Sequence, residues 1–305
     1  MKIVVIGAGA IGSLFGGKLA KAGEEVWLLD VWEEHIKTIR KKGLTIVSPS
    51  ETVVARPNAT TRTDEIGKAD LVMVCVKSRD TAEAGLIAEV LMGSNTLVLT
   101  LQNGIGNAEQ LVEMLGRDRI VVGATMMGAI VLEPGNVMFG GLKPTYLAPW
   151  NSDEGKKCVD VVAALLKQAG FPLQINDNAY SLLWSKLALH AGINAVTAIT
   201  RVTNGQLVDF DETRQLAQMA VQEVETVMKA AGIPSLYSDV FGELLAFAES
   251  MREHESSMFQ DVLNKRKTEV DSINGAVVKA GKELGVPTPV NEVLTLLLKG
   301  IERTF

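Results

Sequence analysis

The sequence predicts a doubly wound α/β domain over residues 1–176 and an all-α domain over residues 177–305. A glycine-rich turn joins the first strand to the first helix, and buried strands then alternate with helical segments. After Asp177 only helical periodicity remains. A chain of 305 residues is long enough for two such domains. We therefore expect a parallel sheet covered by helices, followed by a helical unit.

The turn after the first strand carries the strongest local signal. The β-branched segment Lys2–Ile6 leads directly into a G-x-G-x-x-G turn, which opens a helix that extends to Ala22. Its first glycine allows the sharp turn, its second lets a pyrophosphate approach the backbone, and its third lets the helix pack close to the strand. The helix N-terminus adds N–H groups and a positive dipole. The pattern predicts a Rossmann-like dinucleotide-binding domain, with cofactor contacts from Gly7, Ala8, Gly9, Ala10, Ile11 and Gly12.

The acidic residue after the second strand bears on which dinucleotide binds. The strand Val26–Leu29 ends at Asp30, which can accept hydrogen bonds from the ribose hydroxyls of NAD. The 2′-phosphate of NADP would instead favour Arg or Lys at this place, and Glu33 and Glu34 follow, which would repel it. We therefore favour NAD(H). NADP(H) stays open, because Lys77 is placed to reach an adenosine phosphate.

Further buried segments complete the predicted sheet, and three of them are rich in Val, Ile and Leu: Leu71–Val76, Thr96–Leu99 and Ile120–Thr125. Ligands of open α/β sheets lie beyond the carboxyl ends of the strands, so Lys77 and Asn103 are predicted cofactor contacts. We also expect a contact from Ala129, where the pattern changes to short strands rich in Gly and Pro. A helix near 153–169 and a short strand near 172–175 complete the domain.

Helical patterns fill the second half: Ala179–Ile199, Asp211–Ala231, Tyr237–Met251, Lys267–Leu284 and Val290–Arg303. The first is apolar almost all round, except for a stripe formed by Lys186, His190 and Asn194. Residues four apart share one helix face, and a lysine among apolar neighbours is rarely buried without a partner. We expect the stripe to line a polar cavity that binds a small anion. A helix flanking an interface, with Lys186 reaching water, would show the same pattern.

Composition excludes several classes of partner. The net charge of −6 argues against nucleic acid or an anionic membrane surface. Two cysteines imply no disulfide framework and favour a reducing cytoplasm. Three scattered histidines predict no metal site. No run reaches the about 18 uninterrupted apolar residues of a membrane span, and the apolar N-terminus is explained by the first strand and helix.

Several motifs together resemble the ketopantoate reductase family over essentially the whole chain. They are, in order, the glycine turn, VKS at 76–78, QNGIG at 102–106, the Lys186 helix ending in NAVTAI, Asn204-Gly205, SSMFQD at 256–261 and KTEVDSINGAV at 267–277. The resemblance implies hydride transfer from a nicotinamide dinucleotide to the keto group of 2-dehydropantoate (ketopantoate), which gives D-pantoate.

The resemblance also implies roles for individual residues. Lys186 corresponds to the general acid, Glu269 lies beside the lysine and the cofactor, and Asn103 lies by the nicotinamide and the substrate. The small 2-keto acid would be held by residues of the helical domain: His190, Asn194, Asn204 and Ser257. A homodimer is a further expectation.

Two departures from the family pattern leave alternatives open. His190 stands where the family usually has Asn, and Asp30 stands where members that use NADPH carry Arg. Both fit an NAD-dependent D-2-hydroxyacid dehydrogenase acting on another branched or aromatic 2-keto acid. A non-catalytic dinucleotide sensor would have no need for Lys186, Asn194 and Glu269 together. A 6-phosphogluconate-type dehydrogenase would require a phosphate-binding cationic cluster in the second half.

Overall fold

The computed structural model describes residues 1–150 and 153–305, which divide into two compact units. The first unit comprises residues 1–102 and 107–179, and the second comprises residues 103–106 and 180–305. The division after residue 179 lies close to the expected one after residue 176. The assignment of residues 103–106 to the helical unit was not predicted from the sequence. It follows from contacts with Ser272, whose carbonyl oxygen accepts a hydrogen bond from Ile105 N at 2.8 Å.

The first unit contains both strands and α-helices. The strands are β1 (Lys2–Ile6), β2 (Glu25–Leu29), β3 (Leu44–Val47), β4 (Thr52–Ala55), β5 (Asn58–Thr60), β6 (Ala69–Val74), β7 (Met92–Thr100), β8 (Ile120–Thr125), β9 (Ala129–Glu133), β10 (Asn136–Phe139), β11 (Thr145–Pro149) and β12 (Leu173–Ile175). The helices are α1 (Ala10–Lys21), α2 (Glu33–Lys42), α3 (Thr81–Leu91), α4 (Asn107–Leu115) and α5 (Asp153–Gln168).

The larger sheet has the strand order β12-β11-β8-β7-β6-β1-β2-β5. The strands from β8 through β5 in this order pair in parallel, whereas β11 runs antiparallel to β8. The chain first builds outward from β1 to β2 and β5, then returns to the other side of β1 with β6. This confirms the predicted doubly wound fold. Ligands of such sheets bind at the carboxyl ends of the strands where the order reverses, here β1 and β6.

A smaller sheet, with the order β4-β3-β10-β9, was only partly predicted. The sequence indicated short strands after Ala129 but not β3 and β4. This sheet lies close to α1: a Cβ atom on Gly17 would come within 2.6 Å of Ile46 Cδ1 in β3. The glycine therefore lets the helix pack against the smaller sheet.

The second unit is helical in its described part, as predicted. Its helices are α6 (Ala179–Thr200), α7 (Asn204–Asp209), α8 (Asp211–Ala230), α9 (Val240–Ser250), α10 (Ser257–Leu263), α11 (Asn274–Leu284) and α12 (Pro289–Glu302). By length and composition alone α6 could cross a membrane, but 89% of its most apolar window is buried inside the structure. Gly192 explains the close packing around α6, because a Cβ atom there would come within 2.5 Å of Leu244 Cδ1 in α9. Burial on this scale is typical of a core helix.

Two predicted helix starts were wrong, and two short helices were not predicted. The fourth helical pattern begins at Asn274 rather than Lys267, because Glu269 O accepts hydrogen bonds from the backbone N–H groups of two residues in a turn, Ser272 and Ile273. The third helical pattern begins at Val240 rather than Tyr237. The Asp239 carboxylate caps the helix directly before Val240. The short helices α7 and α10 are capped by Thr203 and Ser256.

Candidate active site

The glycine turn between β1 and α1 has the shape that a bound phosphate requires. Gly7 has φ +95°, and a Cβ atom there would lie 2.8 Å from Val76 N. A Cβ atom on Gly12 would lie 1.9 Å from Gly7 O. Gly9 differs, because a Cβ atom there would meet nothing within 4 Å. The outer glycines are thus required by packing, and the central one leaves open space where a phosphate can approach the backbone.

The N-terminus of α1 is suited to a negative charge. The helix begins at Ala10, with Ile11 next, and its first turn contains no acidic residue. Gly9 occupies the N-cap position without a side-chain cap. The first N–H groups of an α-helix have no partner within the helix and carry its positive dipole. The turn therefore fits the pyrophosphate of a dinucleotide.

Asp30 is fixed at the end of β2, next to this turn. Its Oδ2 accepts a hydrogen bond from Ala8 N at 2.7 Å, and its Oδ1 accepts one from Trp32 N at 2.9 Å. A carboxylate offers about four acceptor positions, so lone pairs remain for ribose hydroxyls. Asp30 thus connects the end of β2 to the glycine turn, and its carboxylate can still accept hydrogen bonds from a ligand.

The three other predicted cofactor contacts lie in different places. Lys77 follows β6 and is half-buried near the turn, since Gly7 packs on the adjacent Val76 backbone. Asn103 follows β7 and belongs to the helical unit. Ala129 begins β9 and pairs with Phe139, so it lies in the smaller sheet rather than at a strand end of the larger one.

Lys186 is the central charged group of the helical unit. It lies on α6, is 7% exposed, and its Nζ donates a hydrogen bond to Asn103 Oδ1 at 2.9 Å. Burial lowers the pKa of Lys186 from 10.5 to about 8, and the negative charge of Glu269 opposes that shift. At pH 7 about ten molecules carry the proton for each one that lacks it. The ammonium is therefore charged at neutral pH and close to its titration, which suits a general acid.

Two carboxylates of the segment before α11, Glu269 and Asp271, differ in their surroundings. Glu269 is 8% exposed, and its charge acts on Lys186. Asp271 is exposed and forms an ion pair with Lys299 at 2.5 Å. Glu269 thus belongs with the buried lysine, and Asp271 is a surface residue. The turn that carries them contacts residues 103–106, because a Cβ atom on Gly104 would lie 2.5 Å from Ser272 O.

His190 lies one helical turn beyond Lys186. Burial, together with the positive charge of Lys186, lowers the pKa of His190 from 6.5 to about 3. Its Nδ1 atom is enclosed and has no hydrogen-bond partner among residues 1–150 and 153–305. The imidazole is therefore neutral at physiological pH, and no described residue forms a hydrogen bond with its enclosed Nδ1 atom.

The remaining predicted substrate contacts differ in exposure. Asn194 is buried on the same face of α6 as Lys186. Asn204 begins α7, is 3% exposed, and donates from Nδ2 to Met251 O at 3.3 Å. Its Oδ1 is buried without a partner in the described part of the chain. Ser257, the first residue of α10, is exposed.

Ser256 anchors the helix that carries Ser257. Its Oγ accepts a hydrogen bond from Phe259 N, and it lies 2.8 Å from Thr197 Oγ1 on α6. Ser256 is thus the N-cap of α10. The hydroxyl pair also fixes the start of α10 against α6.

Other reactive side chains lie outside this group. Burial raises the pKa of Cys75 to about 12, so its thiol is not ionised at neutral pH, and both cysteines are free. Within the two described ranges, no group of three or more His, Cys, Asp or Glu residues is arranged to hold a metal ion.

A buried polar pair behind the glycine turn was missed from the sequence. Ser13 and His35 are both fully buried and lie within 3.1 Å of each other. The available signal was the position of His35 beside Ile36 and Ile39, the other buried residues of α2. A polar residue on the apolar face of a helix indicates a specific partner.

Known proteins resemble this chain over both units. Residues 3–152 match the family model described as ketopantoate reductase PanE/ApbA, and residues 178–302 match its C-terminal model. A 2-dehydropantoate 2-reductase from Halobacterium salinarum is 36% identical over 304 residues, with 99% of each chain covered. These matches confirm the resemblance based on the motifs.

Solved structures agree with this result. A PanE/ApbA family ketopantoate reductase from Ralstonia eutropha JMP134 is 33% identical with a TM-score of 0.90, covering 100% of this chain and 99% of that one. The ternary structure of D-mandelate dehydrogenase with NADH and anilino(oxo)acetate is 28% identical with a TM-score of 0.94, at the same coverage. The similarity thus extends to a protein whose structure contains NADH.

Proposed function

We propose, because this chain belongs to the ketopantoate reductase family, that it is a 2-dehydropantoate 2-reductase. When bound, the reduced dinucleotide supplies a hydride to the keto carbon. The observation that carries the proposal is the buried ammonium of Lys186, held by Asn103 at 2.9 Å. A developing alkoxide needs both a proton and a positive charge, and this side chain supplies both.

Lys186 is the proposed general acid. Its ammonium has three hydrogens, of which one is directed to Asn103 Oδ1 and two remain for substrate oxygens. Asn103 thereby fixes the direction of Nζ before substrate binds. A pKa of about 8 lets the group give up its proton readily while it is still charged at pH 7.

Glu269 is the proposed partner that keeps Lys186 protonated. Desolvation disfavours the ammonium, and the Glu269 charge is the opposing influence on its pKa. Without this carboxylate, a larger fraction of the lysine would be neutral at pH 7 and unable to donate. Glu269 therefore acts on the proton supply rather than on the keto carbon.

Polar residues of the helical unit are the proposed substrate contacts. We assign orientation of the carboxylate and hydroxyl groups to Asn194, Asn204 and Ser257, which lowers the entropic barrier to reaction. His190 differs from the amide of an asparagine in what it can offer a substrate. No described residue could accept a hydrogen bond from its enclosed Nδ1 atom. The hydrogen of the neutral ring is therefore assigned to Nε2, since an unpaired buried N–H is rarer than an unpaired acceptor. His190 then offers substrate a donor only.

NAD(H) is the proposed cofactor. Asp30 is held at the strand end by the turn and presents carboxylate oxygens suited to ribose hydroxyls. The similar D-mandelate dehydrogenase structure contains NADH. NADP(H) remains the second choice, with Lys77 as the candidate phosphate contact.

A second candidate function is an NAD-dependent D-2-hydroxyacid dehydrogenase that reduces another branched or aromatic 2-keto acid. Asp30 and His190 favour it, as does the TM-score of 0.94 with D-mandelate dehydrogenase. Both candidates use Lys186 in the same way, so they differ only in the group attached to the keto acid.

A panel of substrates separates the candidates. We would measure kcat/KM for 2-dehydropantoate, for 3,3-dimethyl-2-oxobutanoate, which lacks only its hydroxyl, and for benzoylformate, each with NADH and NADPH. The proposal predicts the highest value with 2-dehydropantoate and NADH. A higher value with benzoylformate would establish the second candidate. Binding of NADH without turnover of any 2-keto acid would refute both and indicate a dinucleotide sensor.

A further inference from the structure

A buried serine and histidine are joined to the glycine turn by hydrogen bonds. Ser13 on α1 and His35 on α2 are both 0% exposed. Ser13 Oγ donates a hydrogen bond to Ala8 O at 2.8 Å and lies 3.1 Å from His35 Nε2. His35 Nδ1 accepts a hydrogen bond from Gly135 N at 3.0 Å. The contacts thus connect the turn between β9 and β10 with the glycine turn.

The groups at the two ends of this series of hydrogen bonds determine where the hydrogen atoms lie. The Gly135 N–H group can only donate, so His35 Nδ1 carries a lone pair and the hydrogen of the neutral ring lies on Nε2. His35 Nε2–H then donates to Ser13 Oγ, and the serine hydroxyl donates to Ala8 O. Burial favours the neutral ring and lowers the pKa of His35, with Asp30 as an opposing charge. Every buried polar atom of the pair is satisfied in this one arrangement.

The same residue of the glycine turn is also held from its other side. Ala8 N donates to Asp30 Oδ2 at 2.7 Å, while Ala8 O accepts from Ser13. Trp32, whose backbone N–H binds Asp30 Oδ1, stacks its ring on His35 with centroids 4.9 Å apart and an interplanar angle of 15°. Ala8, Ser13, His35, Trp32 and Asp30 therefore form a closed circuit, which we call the Ser13–His35 circuit.

We propose that the Ser13–His35 pair is a positioning element for dinucleotide binding, which holds the Ala8 peptide groups and Asp30 in the geometry that the ligand requires. The inference rests on the proposed use of the glycine turn for the dinucleotide. Glycines on both sides of Ala8 give the free turn high conformational freedom. Hydrogen bonds that fix Ala8 before the dinucleotide binds reduce the conformational entropy lost on binding, and so they increase the affinity.

Ser13→Ala in the full chain tests the proposal. The substitution leaves Ala8 O and His35 Nε2–H without their buried partner, and unpaired groups of this kind weaken a structure measurably. We expect the Kd of NADH, measured by fluorescence titration, and the KM for NADH to rise about tenfold, equivalent to about 1.4 kcal/mol. The kcat at saturating NADH and the KM for the keto acid should stay within about twofold of the wild type, since Lys186 is unchanged.

Thr96→Val is the matched control. Thr96 is also buried in the first unit, and its hydroxyl also bonds backbone groups, Gly93 N and Ala69 O. It lies in the middle of β7 and binds the first residue of β6, whereas the glycine turn follows the carboxyl end of β1. We expect this variant to lower the Tm comparably while leaving the Kd of NADH unchanged.

A second variant tests the same circuit at another point. The amide of His35→Gln can still donate to Ser13, so its loss of NADH affinity should be smaller than that of Ser13→Ala. The proposal is overturned if the Kd of NADH in Ser13→Ala stays within about twofold of the wild type, or if Thr96→Val raises it equally. If Ser13→Ala does not fold, His35→Leu, which removes the donor to Ser13, takes its place, and a Kd of NADH within about twofold of the wild type in that variant overturns the proposal. A wild-type chain that binds neither NADH nor NADPH would instead refute the proposed function.

Discussion

Replacing Lys186 by methionine is expected to stabilise the protein although it removes the proposed general acid. Burial lowers the lysine pKa from 10.5 to about 8. Each pKa unit corresponds to about 1.4 kcal/mol, so the buried ammonium costs the folded state about 3 kcal/mol at pH 7. Methionine keeps an apolar stem and carries no charge. It removes the hydrogen bond from Lys186 to the half-buried Asn103 Oδ1, which offsets about 1 kcal/mol. The net expectation is a gain of about 2 kcal/mol.

The pH dependence of this gain identifies its cause. Above pH 8 the folded state of the wild type releases the Lys186 proton, whereas the unfolded chain keeps it up to about pH 10.5. The stability contributed by the wild-type lysine therefore rises with pH in this window, because the unfolded state binds more protons. At pH 9.5 only about 1 kcal/mol of the cost remains. The advantage of Lys186→Met should thus shrink by about 2 kcal/mol between pH 7 and pH 9.5.

Urea unfolding at the two pH values measures both quantities. Trp184 lies on α6, whereas Trp27, Trp32 and Trp150 lie in the first unit, so tryptophan fluorescence reports on both units. The free-energy cost of losing the hydrogen bond to Asn103 does not depend on pH. It therefore cancels when the results at the two pH values are compared. An equal difference in unfolding free energy between variant and wild type at pH 7 and pH 9.5 would refute the assignment of a buried, charged Lys186.

Three further predictions concern turnover, cofactor choice and packing. The kcat/KM for the keto acid should fall about tenfold per pH unit above pH 8, because Lys186 must be protonated, and Glu269→Gln should move this fall to lower pH. A pH profile of kcat/KM that is the same in both proteins would contradict this. Asp30→Arg should change the ratio of kcat/KM for NADH over NADPH by at least about tenfold towards NADPH, and an unchanged ratio counts against the role of Asp30. Asn274→Ala should destabilise the protein by about 2 kcal/mol in urea unfolding, because it removes a buried bond to Asn291 Oδ1 at 2.9 Å; a loss below about 0.5 kcal/mol would show that this bond does not hold α11.

Local patterns were sufficient where the cause of a structure is local. The glycine turn was predicted because its requirements, a left-handed Gly7 and a close contact of Gly12 with Gly7, arise within six residues. Helix α6 was predicted to within one residue, because its apolar pattern extends without interruption over many turns. The turn that precedes α11 was predicted as helix, because its backbone geometry depends partly on Ser272, which binds Ile105 far away in the chain.

The candidate site shows the same division. The stripe on α6 indicated that Lys186 is buried, but its bond to Asn103 spans 83 positions and leaves no local signal. Exposure separated Glu269 from Asp271, which have equal charge in the same turn. The roles of His190 and the other substrate contacts stay predictions, as do the homodimer and the cytoplasmic location.

Turnover by Lys186→Ala tests the central claim most directly. Wild type and variant would be compared at saturating 2-dehydropantoate and NADH, with the Kd of NADH measured in parallel to show that the cofactor still binds. General acid catalysis contributes about 10²- to 10⁴-fold, so we predict a fall in kcat of at least about 100-fold with the Kd of NADH within about twofold. A kcat close to that of the wild type would contradict the assignment of Lys186 as the proton donor.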